Sequence, residues 1–160
     1  MASELHDRLE LALLASNEGV WDWYVGEMDI YYSERVLDFL GYPSDKAPNI
    51  ILQARKYFHS NDLPGLREAF RKIVKKNGDD TLANDCRYLH PNGSWRWLRI
   101  RGVVVRDDEG MAHRIVGSII DISQRKNAEM ALQEERHRLR ELIENIPINV
   151  YYKDKESRFV

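Results

Sequence analysis

The feature that most constrains this chain is the run from Asp85 to Lys126. Asp85-Cys86-Arg87-Tyr88-Leu89-His90 has strand character and is broken by the turn-forming cluster Pro91-Asn92-Gly93-Ser94. A second strand-like segment, Trp95 to Arg106, follows at once and is broken by Asp107-Asp108-Glu109-Gly110; a third covers Ala112 to Ile120. That third segment has no Gly or Pro stop. It passes through Asp121-Ile122-Ser123-Gln124-Arg125-Lys126 into a long charged stretch of helical character. Three strands wired directly into a helix can pass a displacement of the sheet along a rod. The pattern predicts a sensor or relay module, not a catalyst.

Bulk properties fit that expectation. A chain of 160 residues, 43% hydrophobic and 31% charged, suits one compact domain plus exposed helix. A formal charge of -2 gives no basic surface for counterion release, so no nucleic-acid partner is expected. No apolar run approaches the roughly 20 residues that cross a bilayer, and the N-terminus lacks the apolar core of a signal peptide. No membrane contact and a cytoplasmic location are therefore expected of this stretch. The single cysteine, Cys86, excludes an intrachain disulfide and any multi-cysteine metal site.

Ahead of the three strands, Leu5, Leu9, Ala12, Leu13 and Leu14 recur at helical spacing, which predicts an amphipathic N-terminal helix over 1–18, closed by a left-handed turn near Asn17-Glu18-Gly19. Val20 to Val25 and Met28 to Tyr32 predict a hairpin about Gly26-Glu27. Ser33 is placed to cap a short helix carrying Val36, Leu37 and Leu40 and ended by Gly41-Tyr42-Pro43. Short helical pieces are expected at Ser44-Asp45 and from Ile50 to Phe58. A longer helix, capped by Asp62 with Pro64 in its first turn, buries Leu66, Ala69, Phe70, Ile73 and Val74. This order predicts an α+β fold, one antiparallel sheet with short helices on one face.

From Gln124 to Asn145 there is no Pro or Gly. Leu132, Leu139 and Ile146 stand seven apart, with Ala128 and Leu142 at the alternate heptad positions, a seam interrupted by Arg125 and Glu135. A weak seam suits a signalling rod, because two nearly equal packings are biased by small inputs. The end of the chain then repeats its start. Leu11, Leu14, Asn17 and Tyr24 align without gaps on Leu139, Leu142, Asn145 and Tyr152. Residues 147–160 read as the truncated start of a second repeat.

Gly19-Val20-Trp21-Asp22-Trp23, Ser33 to Tyr42, His59-Ser60-Asn61-Asp62, Asp85-Cys86-Arg87-Tyr88, Pro91 to Trp97 and Gly117 to Ser123 together resemble the PAS sensor family. The resemblance covers about residues 15–125, in the variant with a Trp-rich first strand and an Asp-Ile-Thr ending, here Asp121-Ile122-Ser123. It implies a five-stranded sheet over 19–122 with helices on one face, often around a small ligand cavity, and a linker or coiled-coil helix over 123–146. The heptad seam predicts a homodimer, and the resemblance further implies a downstream effector in the same polypeptide, of histidine kinase or diguanylate cyclase type.

Candidate sites follow. Asp121 can accept from the first amides of the helix and Gln124 can reach back as a capping-box partner, so Asp121, Ile122, Ser123 and Gln124 are the candidate signal relay. Ala128, Leu132, Leu139, Leu142 and Ile146 are the candidate dimer seam. Trp23, Tyr32, Phe39, Phe58, Phe70, Cys86, Tyr88 and Ile119 are the candidate lining of a pocket for a small-molecule ligand, whose binding is the alternative function. Cofactors stay unassigned. Asn84 to His90 superficially resembles the flavin-bonding Asn-Cys-Arg-Phe-Leu-Gln of LOV photoreceptors. That signature lies on a helix, whereas Cys86 falls on a strand, so covalent flavin is disfavoured. His59, His90 and His113 fall at a helix end, a hairpin and a turn, and the long helix holds no histidine, so haem and metal are disfavoured too. Trp95, Trp97, Arg99 and Arg101 share one strand face, which needs the N-terminal helix or a partner subunit as cover if it is the outer one. His137 is followed by Arg138 rather than an acid and reads as solvated helix face, not a phosphoacceptor. No catalytic constellation is present in the sequence, and a non-enzymatic module is expected.

Overall fold

The computed structural model describes residues 11–13, 15–43 and 47–145. The chain divides into two compact units, one ending at Gln124 and one beginning at Arg125. Its elements are β1 (Gly19–Tyr24), β2 (Tyr31–Tyr32), α1 (Glu34–Leu40), α2 (Ala54–Tyr57), α3 (Leu63–Val74), β3 (Thr81–Leu89), β4 (Trp95–Arg106), β5 (Ala112–Asp121) and α4 (Ser123–Glu144). The five strands form one antiparallel sheet in the order β2-β1-β5-β4-β3. The α+β expectation holds.

Period-two alternation decides which face is buried. Leu82, Cys86 and Tyr88 of β3, Leu98, Ile100 and Val104 of β4, and Ile115 and Ile119 of β5 join one core with Val36, Leu37 and Leu40 of α1 and Leu66 and Ile73 of α3. The tightest point lies under Trp21. Gly117 is its partner across β1 and β5, and Gly102 pairs with Gly117 across β5 and β4. A Cβ on Gly102 would stand 3.1 Å from the Trp21 ring, and one on Gly117 only 2.7 Å from Nε1. Two facing glycines thus give the indole a floor, and its Nε1 donates to the Arg101 carbonyl at 3.0 Å.

Element boundaries differ from expectation where tertiary pairing overrides local preference. β2 is two residues, not five, because only Tyr31 and Tyr32 register against Asp22 and Trp21; further back, the Met28 carbonyl accepts from Asn49 Nδ2 at 3.2 Å. β3 begins at Thr81, not Asp85, since Thr81 to Asn84 pair with Val103 to Ile100 despite their modest strand propensity. The helix expected over Ile50 to Phe58 shrinks to α2. Asn49 Oδ1 accepts from the Ile51 and Leu52 amides just before it, and Phe58 is extended and bridges to Tyr88. The expected piece at Ser44-Asp45 and the second repeat at 147–160 lie outside the described residues. Of the N-terminal helix, residues 11–13 and 15–16 are helical and Asn17 takes the left-handed turn, with φ 56°.

Three helix starts are built in a way the sequence does not announce. Ser33 occupies the N-cap of α1, yet its hydroxyl accepts from the Val20 amide of β1 at 2.9 Å. Asp62 occupies the N-cap of α3, yet its carboxylate accepts from the Arg87 amide of β3 at 2.8 Å. At α4 the Ser123 hydroxyl accepts from the Trp97 amide of β4 at 2.9 Å. Each helix is pinned to a strand by a side chain at its entry, the N-cap in α1 and α3 and the first helical residue in α4.

Candidate functional site

The junction of β5 and α4 is tied at one point to the neighbouring strand β4. The Ile122 amide donates to the Trp97 carbonyl at 2.8 Å, and the Trp97 amide donates to Ser123 Oγ. Both backbone groups of Trp97 are therefore bonded to the start of the helix. Asp121 Oδ1 accepts from the Ser123 amide at 2.8 Å, the role expected of it. Its other oxygen lies 3.9 Å from Arg96 Nη1, and both side chains are partly buried. Gln124 is exposed and, among the described residues, makes no capping-box bond back. With the helix beginning at Ser123, Asp121 stands one residue ahead of the N-cap, and the box is out of register.

Arg96 is the member that sequence reading missed. Its guanidinium also donates to the Phe39 carbonyl at the end of α1, at 3.3 Å. Its neighbour across the ladder, Tyr88, donates its hydroxyl to the next carbonyl, Leu40, at 3.1 Å. The last carbonyls of α1, which have no helical partner, are thereby tied to β3 and β4, and through Arg96 to Asp121. The signal available in the sequence was parity: Arg96 alternates with Leu98 and Ile100 on the inner face, where an arginine needs an acceptor.

The candidate pocket residues fall into two groups. Phe58 and Phe70 line a cavity of about 70 Å³ with Ile51, Ala54, Leu66, Arg67 and Ile100. Trp23, Tyr32, Phe39, Cys86, Tyr88 and Ile119 are instead packed core, each at most 8% exposed. Burial pushes the Cys86 thiol and the Tyr32 and Tyr88 phenols well above their ordinary pKa. Cys86 sits on β3 after the long helix, as its sequence context predicts, and faces the core. The cavity is well below the roughly 300 Å³ at which ordinary small-molecule sites begin.

On the outer face the four alternating residues keep their own company. Arg99 pairs with Asp85 at 2.6 Å and Arg101 with Glu18 at 3.6 Å. Arg87 lies over the Trp97 ring at 5.1 Å, and His59 meets Trp95 edge-on at 5.1 Å. Trp97 thus keeps to this face, and Trp95 is 47% exposed. No cluster of three or more His, Cys, Asp and Glu among the described residues could hold a metal ion.

Along α4 every described residue from Ala128 to Glu144 is exposed. Leu132, Leu139 and Leu142 are each at least half exposed, and Ile146 lies outside the described residues. Ile143, left out of the heptad reading, follows Leu139 by one turn and broadens the same apolar stripe. His137 is paired with Glu141 at 3.3 Å on the solvent side. None of the helices among the described residues is long and apolar enough to cross a membrane.

Against this geometry stand the comparisons with known proteins. Residues 29–119 match the family model described as PAS fold. The sensor protein FixL of Bradyrhizobium diazoefficiens is 23% identical over 129 residues, which is 81% of this chain but only 25% of that protein. A sensory box histidine kinase/response regulator from Burkholderia thailandensis superposes with a TM-score of 0.71 at 28% identity, over 84% of this chain and 98% of that one. The N-terminal domain of a diguanylate cyclase with PAS/PAC sensor from Marinobacter aquaeolei gives a TM-score of 0.57 at 25% identity, over 68% of this chain and 98% of that one. The chain is thus similar to the sensor domains of kinases and cyclases and spans about a quarter of the curated relative. With the family model covering more than half of its length, and the sheet and helix order in agreement, the chain belongs to the PAS-fold family.

Proposed function

We propose that this chain is a non-catalytic relay module that dimerises through α4 and hands a change in its sheet to an effector in the same polypeptide. The carrying observation is that both backbone groups of Trp97 are bonded to the first residues of α4, the amide through Ser123 Oγ and the carbonyl through the Ile122 amide. A shift of β4 then moves the helix start with it. The path inward runs through Arg96 and Tyr88 to the end of α1, so that rearrangement of the core reaches Asp121 by bonded steps. A helix cap is worth about 0.5–2 kcal/mol, the same order as the roughly 1–3 kcal/mol of allosteric couplings. The helix carries no buried residue of its own, and its stripe of Leu132, Leu139, Leu142 and Ile143 suits a second copy. Similar structures that come from a histidine kinase/response regulator and from a diguanylate cyclase support a linked effector of that type.

Spin labels on the exposed position 137, as His137→Cys, test this; Cys86 is buried and leaves the labelling specific. The His137→Cys chain is expected to give one defined label-to-label distance between two copies, and Ser123→Ala added to it to shift or broaden that distance. No coupling between copies would overturn the dimer, and an unchanged distance in Ser123→Ala would overturn the relay.

A second reading, a receptor for a small molecule, is favoured by the cavity between α2, α3 and β4. The two readings combine if occupancy of that cavity is the input.

A further inference from the structure

We propose that the open edge of β3 pairs with the same edge of a second copy of this chain, the two strands running antiparallel about Ala83. β3 is the last strand on its side of the sheet and is bonded to β4 alone. The phase of that ladder is fixed just ahead of the strand, where the Val104 amide donates to the Asp80 carbonyl at 2.9 Å. Bonded and non-bonded pairs alternate along an antiparallel ladder. Leu82, Asn84, Cys86 and Tyr88 therefore bond to β4, and the amides and carbonyls of Thr81, Ala83 and Arg87 point away from it.

The two halves of this edge differ. At Arg87 it is closed, because the amide donates to Asp62 Oδ2 at 2.8 Å and the carbonyl accepts from the His59 amide at 3.0 Å. Thr81 and Ala83 are exposed, and their outward amides and carbonyls meet no partner among the described residues. Native sheets guard such edges with Lys, Pro or a bulge. Thr81 to Asp85 holds no Lys or Pro, and its register against β4 is unbroken. A stretch of this kind takes an added strand through backbone bonds.

The residues along the edge select a second copy and its register. A two-fold axis through Ala83, normal to the sheet, sets the Ala83 amide of each copy against the Ala83 carbonyl of the other, with two small side chains side by side. Thr81 then faces Asp85 of the second copy, a hydroxyl donor opposite a carboxylate. The acids nearest the axis carry their own arginines, Asp85 with Arg99 at 2.6 Å and Asp80 with Arg106 at 3.2 Å. An axis at Leu82 would instead bring Asp79 toward Asp85, two acids. This contact is separate from the stripe on α4, and it joins dimers made by that stripe into larger assemblies.

Disulfide trapping at the axis tests the pairing. The Cα atoms of a bonded antiparallel pair lie about 5.5 Å apart, within the roughly 4.4–6.8 Å that a disulfide spans, and Cys86 is buried and does not compete. Ala83→Cys is expected to form disulfide-linked dimers about tenfold or more faster than Thr81→Cys, which lies on the same edge but faces position 85. The difference should persist when Leu139→Glu is added to remove the helix contact. In the unsubstituted chain, amide exchange at Thr81 and Ala83 should slow as protein concentration rises, while exchange at Arg87 stays constant. Equal trapping at positions 81 and 83 would overturn the axis at Ala83. Exchange at Thr81 and Ala83 that ignores concentration would overturn the second copy as occupant and leave the edge to a strand of another protein. The exchange measurement decides the matter even if a variant does not fold.

Discussion

Ser123 Oγ accepts the backbone amide of Trp97 at 2.9 Å, so a helix residue completes the hydrogen bonding of a sheet strand. Ser123→Ala leaves that partly buried N–H without its acceptor. The expected loss is about 1 kcal/mol in denaturant unfolding, with faster hydrogen exchange at the Trp97 amide. Ser123→Thr keeps the hydroxyl and is expected to behave as the native chain. Equal losses in Ala and Thr would mean that packing, not the bond, holds the junction.

The stripe on α4 makes a separate claim. Leu139 is 50% exposed in the single chain, so Leu139→Glu should leave the thermal melt of the domain almost unchanged, within about 0.5 kcal/mol. If the stripe joins two copies, sedimentation of the native chain gives a dimer and the variant a monomer. A monomeric native chain would remove the seam from the mechanism.

How much was legible follows from those residues. Ser33 and Asp62 were readable as acceptors at helix entries, because the capping residue types are few and stand before apolar periodicity, whereas at the third entry the acceptor read was Asp121 and the strand-binding hydroxyl is Ser123. What they accept from was not readable. Each meets a strand amide, at Val20, Arg87 and Trp97, distant in sequence by 13, 25 and 26 residues, and only the folded register brings these together. The same holds for Asn84, which looks like an ordinary polar residue until the early start of β3 turns it toward the core. The succession of strands along the chain, the turns and the uninterrupted entry into α4 came from Gly, Pro and alternation, whereas the order of the strands in the sheet did not. Pocket membership did not, because eight apolar residues that could line a cavity are indistinguishable in sequence from eight that fill one.

Asp62 should leave an acid signature. Arg87, bonded to it through Nε at 2.9 Å and Nη2 at 2.8 Å as well as through its amide, holds the carboxyl below the ordinary carboxylate range. A pKa lowered by folding stabilises the native state above the unfolded value, about 3.9, and that contribution fades as pH falls toward the folded value. Asp62→Asn should therefore be less stable than the native chain at pH 7, and the gap should close below about pH 4. Chemical unfolding of both chains at pH 3 and pH 7 checks this. A gap independent of pH would mean that shape, not charge, matters at position 62.

Gly117 and Gly102 offer the sharpest contrast, because both floor the Trp21 indole and only one is backed by backbone. A Cβ at Gly102 would meet the Ile115 side chain at 3.0 Å and the Trp21 ring at 3.1 Å, contacts that side chains relieve by shifting a few tenths of an ångström. A Cβ at Gly117 would come upon the Arg101 carbonyl, the same oxygen that accepts from Trp21 Nε1. Relief there requires β4 and β5 to separate and the indole to lose its acceptor. Gly102→Ala is expected to cost about 1–3 kcal/mol as overpacking, and Gly117→Ala to exceed the range of about 0.5–3 kcal/mol usual for single substitutions. Tryptophan fluorescence during denaturant unfolding, summed over Trp21, Trp23, Trp95 and Trp97, reads both effects. Should Gly117→Ala prove as mild as Gly102→Ala, the β4–β5 ladder would be softer at this point than its hydrogen bonding implies.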